Sequence, residues 1–226
     1  MITSALIIKG GLIPGLIQLL LGIVVIIYNW QLNRWGQTTA ISVYGVTASI
    51  LMLFMMPAGG IGQGVRQILE DYYKRKRMND FLRTIHIASI FSLIITGLLW
   101  VMIETFPELI LTIFGADEAM MAVGIPAIRQ NFIAAPAVSI ILLSISYFQA
   151  MEKSGTAMLI SFIWQIAALV PFIYLLPFAE GLMGIFLARP ICEGIMVVVL
   201  FIWIRNSYSR IRRMAKLERN KYRCRK

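Results

Sequence analysis

Long stretches of this chain carry no charge. Residues 10–28 contain no Lys, Arg, His, Asp or Glu, and none appears between Arg34 and Arg66. A helix rises about 1.5 Å per residue, so roughly 20 uncharged residues cross the ~30 Å hydrocarbon core of a bilayer. Within lipid every backbone N–H and C=O must find its partner inside the protein, which leaves the helix as the form for apolar runs of this length. Composition agrees: 59% of the 226 residues are hydrophobic and 14% charged, against about 25% charged in soluble domains. A cytosolic globular enzyme, a disordered chain and a disulfide scaffold are excluded. The two cysteines, Cys192 and Cys224, fall in an apolar segment and a basic one and have neither metal nor disulfide spacing.

The expected fold is all-α: a polytopic membrane protein with six transmembrane helices in one bundle over residues 1–204, followed by a basic tail over 205–226. The spans are read at residues 10–28, 40–65, 87–103, 122–149, 155–177 and 182–204. The first lacks a small-residue cleavage site after its apolar run and is read as a retained span rather than a signal peptide. The second is too long for a straight crossing and must tilt or break, and Pro57-Ala58-Gly59-Gly60, where the glycines tolerate a kink, is where the break is expected. Six crossings put both termini on one side. With the termini cytoplasmic, Lys9, the Lys74–Arg77 cluster, Arg83, Lys153 and the ten basic residues of the tail all lie inside, against Arg34 alone outside. The positive-inside rule therefore selects a multi-pass protein of the cell membrane with cytoplasmic termini. The acids Glu104, Glu108, Asp117, Glu118 and Glu180 fall in the outer loops.

The tail accounts for nearly all of the formal charge of +10. Basic residues next to a span are attracted to anionic lipid headgroups at about 1 kcal/mol each, so the expected partner is the bilayer and not nucleic acid. Ile211, Met214 and Leu217 recur at helical spacing there, as in an interfacial helix continuing the last span.

The order of motifs carries a family resemblance. "GGLIPGLIQLLLGIVV" is followed by "ISVYGVTASILMLFMMPAGGIGQGV" and a tyrosine-bearing basic loop, "DYYKRKRMNDFLR". Next come "AIRQNFIAAPAVSIILLSISYFQAMEKSGTAM", a proline-interrupted span ending in Phe-Gln-Ala, and "LARPICEG" in the last span. Over residues 9–203 the sequence resembles the multidrug and toxic compound extrusion (MATE) family. Members usually have twelve spans in two bundles, so the chain resembles one bundle, more the C-terminal one. It departs from the pattern at Asp71-Tyr72-Tyr73-Lys74, at Trp164 before Gln165, and at Arg189, where a small residue is common. The resemblance implies a secondary active efflux transporter, an antiporter of drugs or organic cations driven by H⁺ or Na⁺ and needing no other cofactor. A homodimer or a separate N-terminal half bundle would complete it.

Ionisable residues at bilayer depth are expensive and are candidates for function. Glu193 is the only acid so placed, and Arg189, four residues earlier, shares its helix face. Pro190 between them cannot donate to the carbonyl of Phe186, which leaves an extra acceptor near the pair. Glu193 and Arg189 are thus the candidate cation-coupling residues, with the carboxyl as the group that changes charge, because an arginine keeps its proton. Gln18, Asn29, Gln63, Asn131, Gln165 and Met55 are candidates for a substrate cavity, though such amides equally serve as hydrogen bonds between helices. Arg66 and Arg129 read as snorkelling anchors, and His86 as an interface residue without companions at metal-ligand spacing. Gly60 with Gly64, and Ala58 with Gly62, form two small-residue stripes for close helix packing.

Other readings are a truncated or split half without transport of its own, and a lipid-linked oligosaccharide flippase of the same superfamily. The flippase would be expected to place more cationic residues in its cavity. No Ser/His, paired-Asp or His/Glu constellation supports an enzyme.

Overall fold

The computed structural model describes the backbone of residues 2–223 and the side chains of residues 22–36 and 38–205. It is helical throughout: α1 (Ile2–Lys74), α2 (Met78–Thr105), α3 (Pro107–Ile113), α4 (Glu118–Phe132), α5 (Ala135–Ala150), α6 (Ser154–Phe162), a π-helical segment (Ile163–Ala168), α7 (Leu169–Leu175), α8 (Pro177–Glu180) and α9 (Leu182–Arg223). Thr38–Lys74, Met78–Thr105, Ser154–Glu180 and Leu182–Arg205 are each long and apolar enough to cross a membrane. The pair α4 and α5, bent by 42° at its break, is long and apolar enough only when taken together, as a broken span or a re-entrant loop. The expected first span falls mostly on residues whose side chains lie outside the described ones, as do Gln18, Cys224 and the tail residues Ile211, Met214 and Leu217.

α1 is helical without a gap, yet it turns back on itself. The rings of Tyr28 and Tyr44 stack with centroids 4.8 Å apart, whereas sixteen residues of straight helix would separate them by about 24 Å. The corner is at Gly36. A Cβ there would sit 2.5 Å from the Ala40 Cβ and 2.7 Å from Leu182 Cδ1, so only glycine fits. Trp35 packs edge-on against Phe178 at the same end of the bundle.

Two expectations about breaks meet different outcomes. The helix runs unbroken through Pro57-Ala58-Gly59-Gly60, a correction to the expected break. Proline there removes one donor, to the carbonyl of Leu53, and with no water in the bilayer to reward unwinding, the remaining bonds keep the helix. The excess length is taken up by the charged end of α1, where Glu70 and Asp71 pair with Lys74 and Arg75. The fourth span, in contrast, is interrupted between Phe132 and Ala135. Pro136 cannot donate to the Phe132 carbonyl and disfavours helical backbone just before it.

The helices sort by what they touch. α5 sits at the centre, in contact with α1, α2, α6 and α9, and buries residues around most of its circumference, from Val138 and Ile141 to Tyr147 and Phe148. α2 points Ile87, Phe91, Ile94, Leu98 and Val101 outward and turns a stripe of Ala88, Ser92 and Thr96 inward. Lipid chains solvate the large apolar residues as well as a core would, so small residues mark the packed side. Of the two small-residue stripes, Ala58 and Gly62 make the contact. Ala58 is fully buried, and a Cβ on Gly62 would lie 2.9 Å from Ser146 Oγ, whereas Gly60 and Gly64 face open space.

Candidate functional site

Glu193 and Arg189 lie one helical turn apart on α9. Arg189 Nε donates to Glu193 Oε1 at 3.1 Å. The glutamate side chain is 1% exposed and that of Arg189 21%. The second carboxylate oxygen, Oε2, is buried without a hydrogen-bond partner among the described residues, so its lone pairs can take a proton or a metal cation.

The backbone around the pair is pinned from outside. Asn131 of α4, 4% exposed, donates from Nδ2 to the Phe186 carbonyl at 3.3 Å, which is the acceptor that Pro190 leaves free. A second joint repeats the device: Gln31 Nε2 donates to the Ile173 carbonyl at 3.4 Å, the oxygen that Pro177 cannot reach. Both bonds are long, and their value lies in satisfying buried carbonyls that would otherwise have no donor.

Opposite Arg189 the chain winds as a π-helix over Ile163–Ala168. Pro171 follows, and in membrane helices a local π adjustment re-satisfies the backbone that a proline disturbs. Cys192 Sγ donates to the Trp164 carbonyl at 3.2 Å, tying this segment to α9. Between the π segment, the folded-back arms of α1 and α9 lies a cavity of about 200 Å³. Arg189, Tyr28, Tyr44, Trp164, Gln165 and Cys192 line it, with Val24, Val25, Ala48, Leu51 and Leu169 as apolar wall.

Of the expected cavity residues, the structure brings Gln165 together with Arg189. Asn131 is engaged in the bond to α9. Asn29 bonds back to the Val25 carbonyl of its own helix at 3.0 Å, Gln63 is exposed, and Met55 packs against the core; none of the three lines this cavity. His86 is exposed and borders a separate cavity with Ser89, Ser144 and Tyr147. Trp164, which the sequence offers with Met52, Phe54, Met55 and Met56 as an adaptable apolar surface, does line the cavity, whereas Tyr28, Tyr44 and Cys192 are not singled out by sequence as site residues. One signal was present, since Tyr28 and Tyr44 stand eight residues either side of Gly36 and must pair once the chain folds back there.

The MatE family model matches residues 15–175, well over half of the chain. The chain belongs to the MatE family. Solved structures share the MatE fold over nearly all of it. An inward-facing multidrug resistance MATE transporter of the MOP superfamily superposes with a TM-score of 0.85 at 18% identity, covering 92% of this chain and 48% of its own. The outward-facing conformation of such a transporter gives 0.83 at 18%, covering 92% and 47%. A MOP superfamily transporter from Pyrococcus furiosus, described as having a binding pocket of reverse polarity, gives 0.82 at 18%, covering 91% and 47%. The chain spans about half the length of these MatE-fold structures. No curated protein matches the sequence.

Proposed function

We propose that this MatE-family chain is one half of a secondary active efflux transporter. It exchanges H⁺ or Na⁺ for drugs or organic cations, together with a second six-helix bundle supplied by another copy or by a separate N-terminal half. Both termini are cytoplasmic and the membrane is the plasma membrane; the weight of Lys and Arg at one end of the bundle supports that orientation. The half-length match to multidrug resistance MATE structures supports the need for a second bundle.

The observation that carries the reading is Glu193 Oε2, a buried carboxylate oxygen at mid-span with no partner among the described residues. Arg189 holds the other oxygen and keeps its own charge, so Glu193 is the group that loads and unloads the coupling cation. Moving one charge through 100 mV is worth about 2.3 kcal/mol, which sets the scale of the gradient such a site can use. Substrate occupies the space between the two bundles and competes with the bound cation.

The test is dye efflux from vesicles driven by ΔpH or by a Na⁺ gradient, comparing wild type with Glu193→Gln. Gradient-driven efflux is expected to disappear in the variant while membrane insertion is unchanged. Wild-type efflux by Glu193→Gln would remove the coupling role.

A further inference from the structure

The cavity beside Arg189 has a chemistry that the efflux reading does not use. Arg189 meets Glu193 through Nε at 3.1 Å, which engages one donor of a planar guanidinium with five. The side chain is 21% exposed and forms part of the cavity wall. Glu193 lies behind it, 1% exposed and not part of the lining. Seen from inside the cavity, the ion pair therefore presents its positive face. The remaining polar lining groups are two phenols, an amide, an indole and a thiol; among the described residues no carboxylate lines the space.

We propose that this cavity binds a small aromatic carboxylate. A guanidinium held at Nε can turn its Nη edge to the cavity as the fork that receives a carboxylate by two parallel hydrogen bonds, a strong contact for a guanidinium. The stacked Tyr28 and Tyr44 rings and Trp164 give the aromatic body flat apolar partners. At about 200 Å³, the space is smaller than the roughly 300–1,000 Å³ of drug-sized pockets and suits one or two fused rings. An organic cation of the same size would meet the guanidinium face of the pair, with Glu193 behind it and no carboxylate in the lining among the described residues.

Binding requires this bundle alone, so it is measured on the purified 226-residue chain in detergent with 2-naphthoate and, as the matched cation, 2-naphthylmethylammonium. Saturable naphthoate binding is expected, at least about tenfold tighter than that of the ammonium, in keeping with charge-assisted hydrogen bonds worth 1.5–3 kcal/mol. Arg189→Lys keeps the charge facing Glu193 but loses the fork, and is expected to weaken naphthoate by about tenfold. Tyr44→Leu is expected to weaken it by a smaller factor. On wild-type protein, photolabelling with 4-azidobenzoate is expected to mark peptides containing Tyr28, Tyr44 or Trp164. Equal or tighter binding of the ammonium, an unchanged affinity in Arg189→Lys, or label confined to other peptides would each overturn the proposal. Loss of efflux in vesicles would not, because no step of the binding measurement depends on transport.

Discussion

Pro57 and Pro190 both stand inside membrane-spanning helices, and the bundle treats them differently. At Pro57 the freed carbonyl belongs to Leu53, 64% exposed, and no described side chain donates to it. At Pro190 the freed carbonyl belongs to Phe186, fully buried, and Asn131 reaches across from α4 to take it. Neither proline interrupts the assigned helix. The difference lies in what surrounds the freed oxygen. An outward-facing joint is left to its own helix, whereas a buried one recruits a donor and becomes a fixed point. Arg189 and Glu193 flank the fixed one, so their spacing is held from two helices at once.

The sharpest way to break this comparison is to remove half of the ion pair. Arg189→Leu leaves a carboxylate that is 1% exposed without its partner, and breaking a buried pair in this way costs about 3–5 kcal/mol. The double variant Arg189→Leu/Glu193→Leu is expected to recover most of that loss, because no charge is stranded. Thermal unfolding in detergent checks it. If single and double variants melt together, the pair is not the element that the pinned joint serves.

The next largest effect concerns the pin. Asn131→Leu leaves the buried Phe186 carbonyl without a donor, at about 1–3 kcal/mol. In a Pro190→Ala background the backbone N–H at position 190 is restored and competes for the same oxygen, so the cost of Asn131→Leu is expected to shrink. A double-mutant cycle reads this coupling directly. Additive costs would mean that Asn131 acts through packing rather than through the proline-freed acceptor.

How much of this was legible beforehand follows the same physics. Charge-free runs marked where helices cross, because lipid penalises charge and unsatisfied backbone regardless of neighbours. The pairing of Arg189 with Glu193 was legible too, being an i, i+4 relation within one helix. The free acceptor at Phe186 could be read from Pro190, but its partner could not, since Asn131 is 55 residues away and any of several amides had the same local credentials. The π segment was hidden for a related reason: Ile163–Ala168 has no composition of its own, and its winding answers to Pro171 and to packing against α9. The reading of Pro57-Ala58-Gly59-Gly60 as a break took the missing donor as decisive, whereas one lost bond leaves the rest of the helix intact where a loosened turn would find no water.

That correction yields the smallest of the expected effects and the cleanest sign. Gly60 lies in unbroken helix, and a Cβ there would meet nothing within 4 Å. Glycine inside a helix is less favourable than alanine by about 0.5–1 kcal/mol, so Gly60→Ala is expected to raise thermal stability by that amount. Two residues on, a Cβ on Gly62 would lie 2.9 Å from Ser146 Oγ, so Gly62→Ala must displace the hydroxyl that bonds the Leu142 carbonyl and should gain less or lose. Were the Pro57–Gly60 segment a true break, with glycine holding a backbone that alanine resists, the order of the two variants would reverse. A melting comparison of Gly60→Ala and Gly62→Ala in the same detergent therefore decides whether this proline bends a continuous helix or divides it.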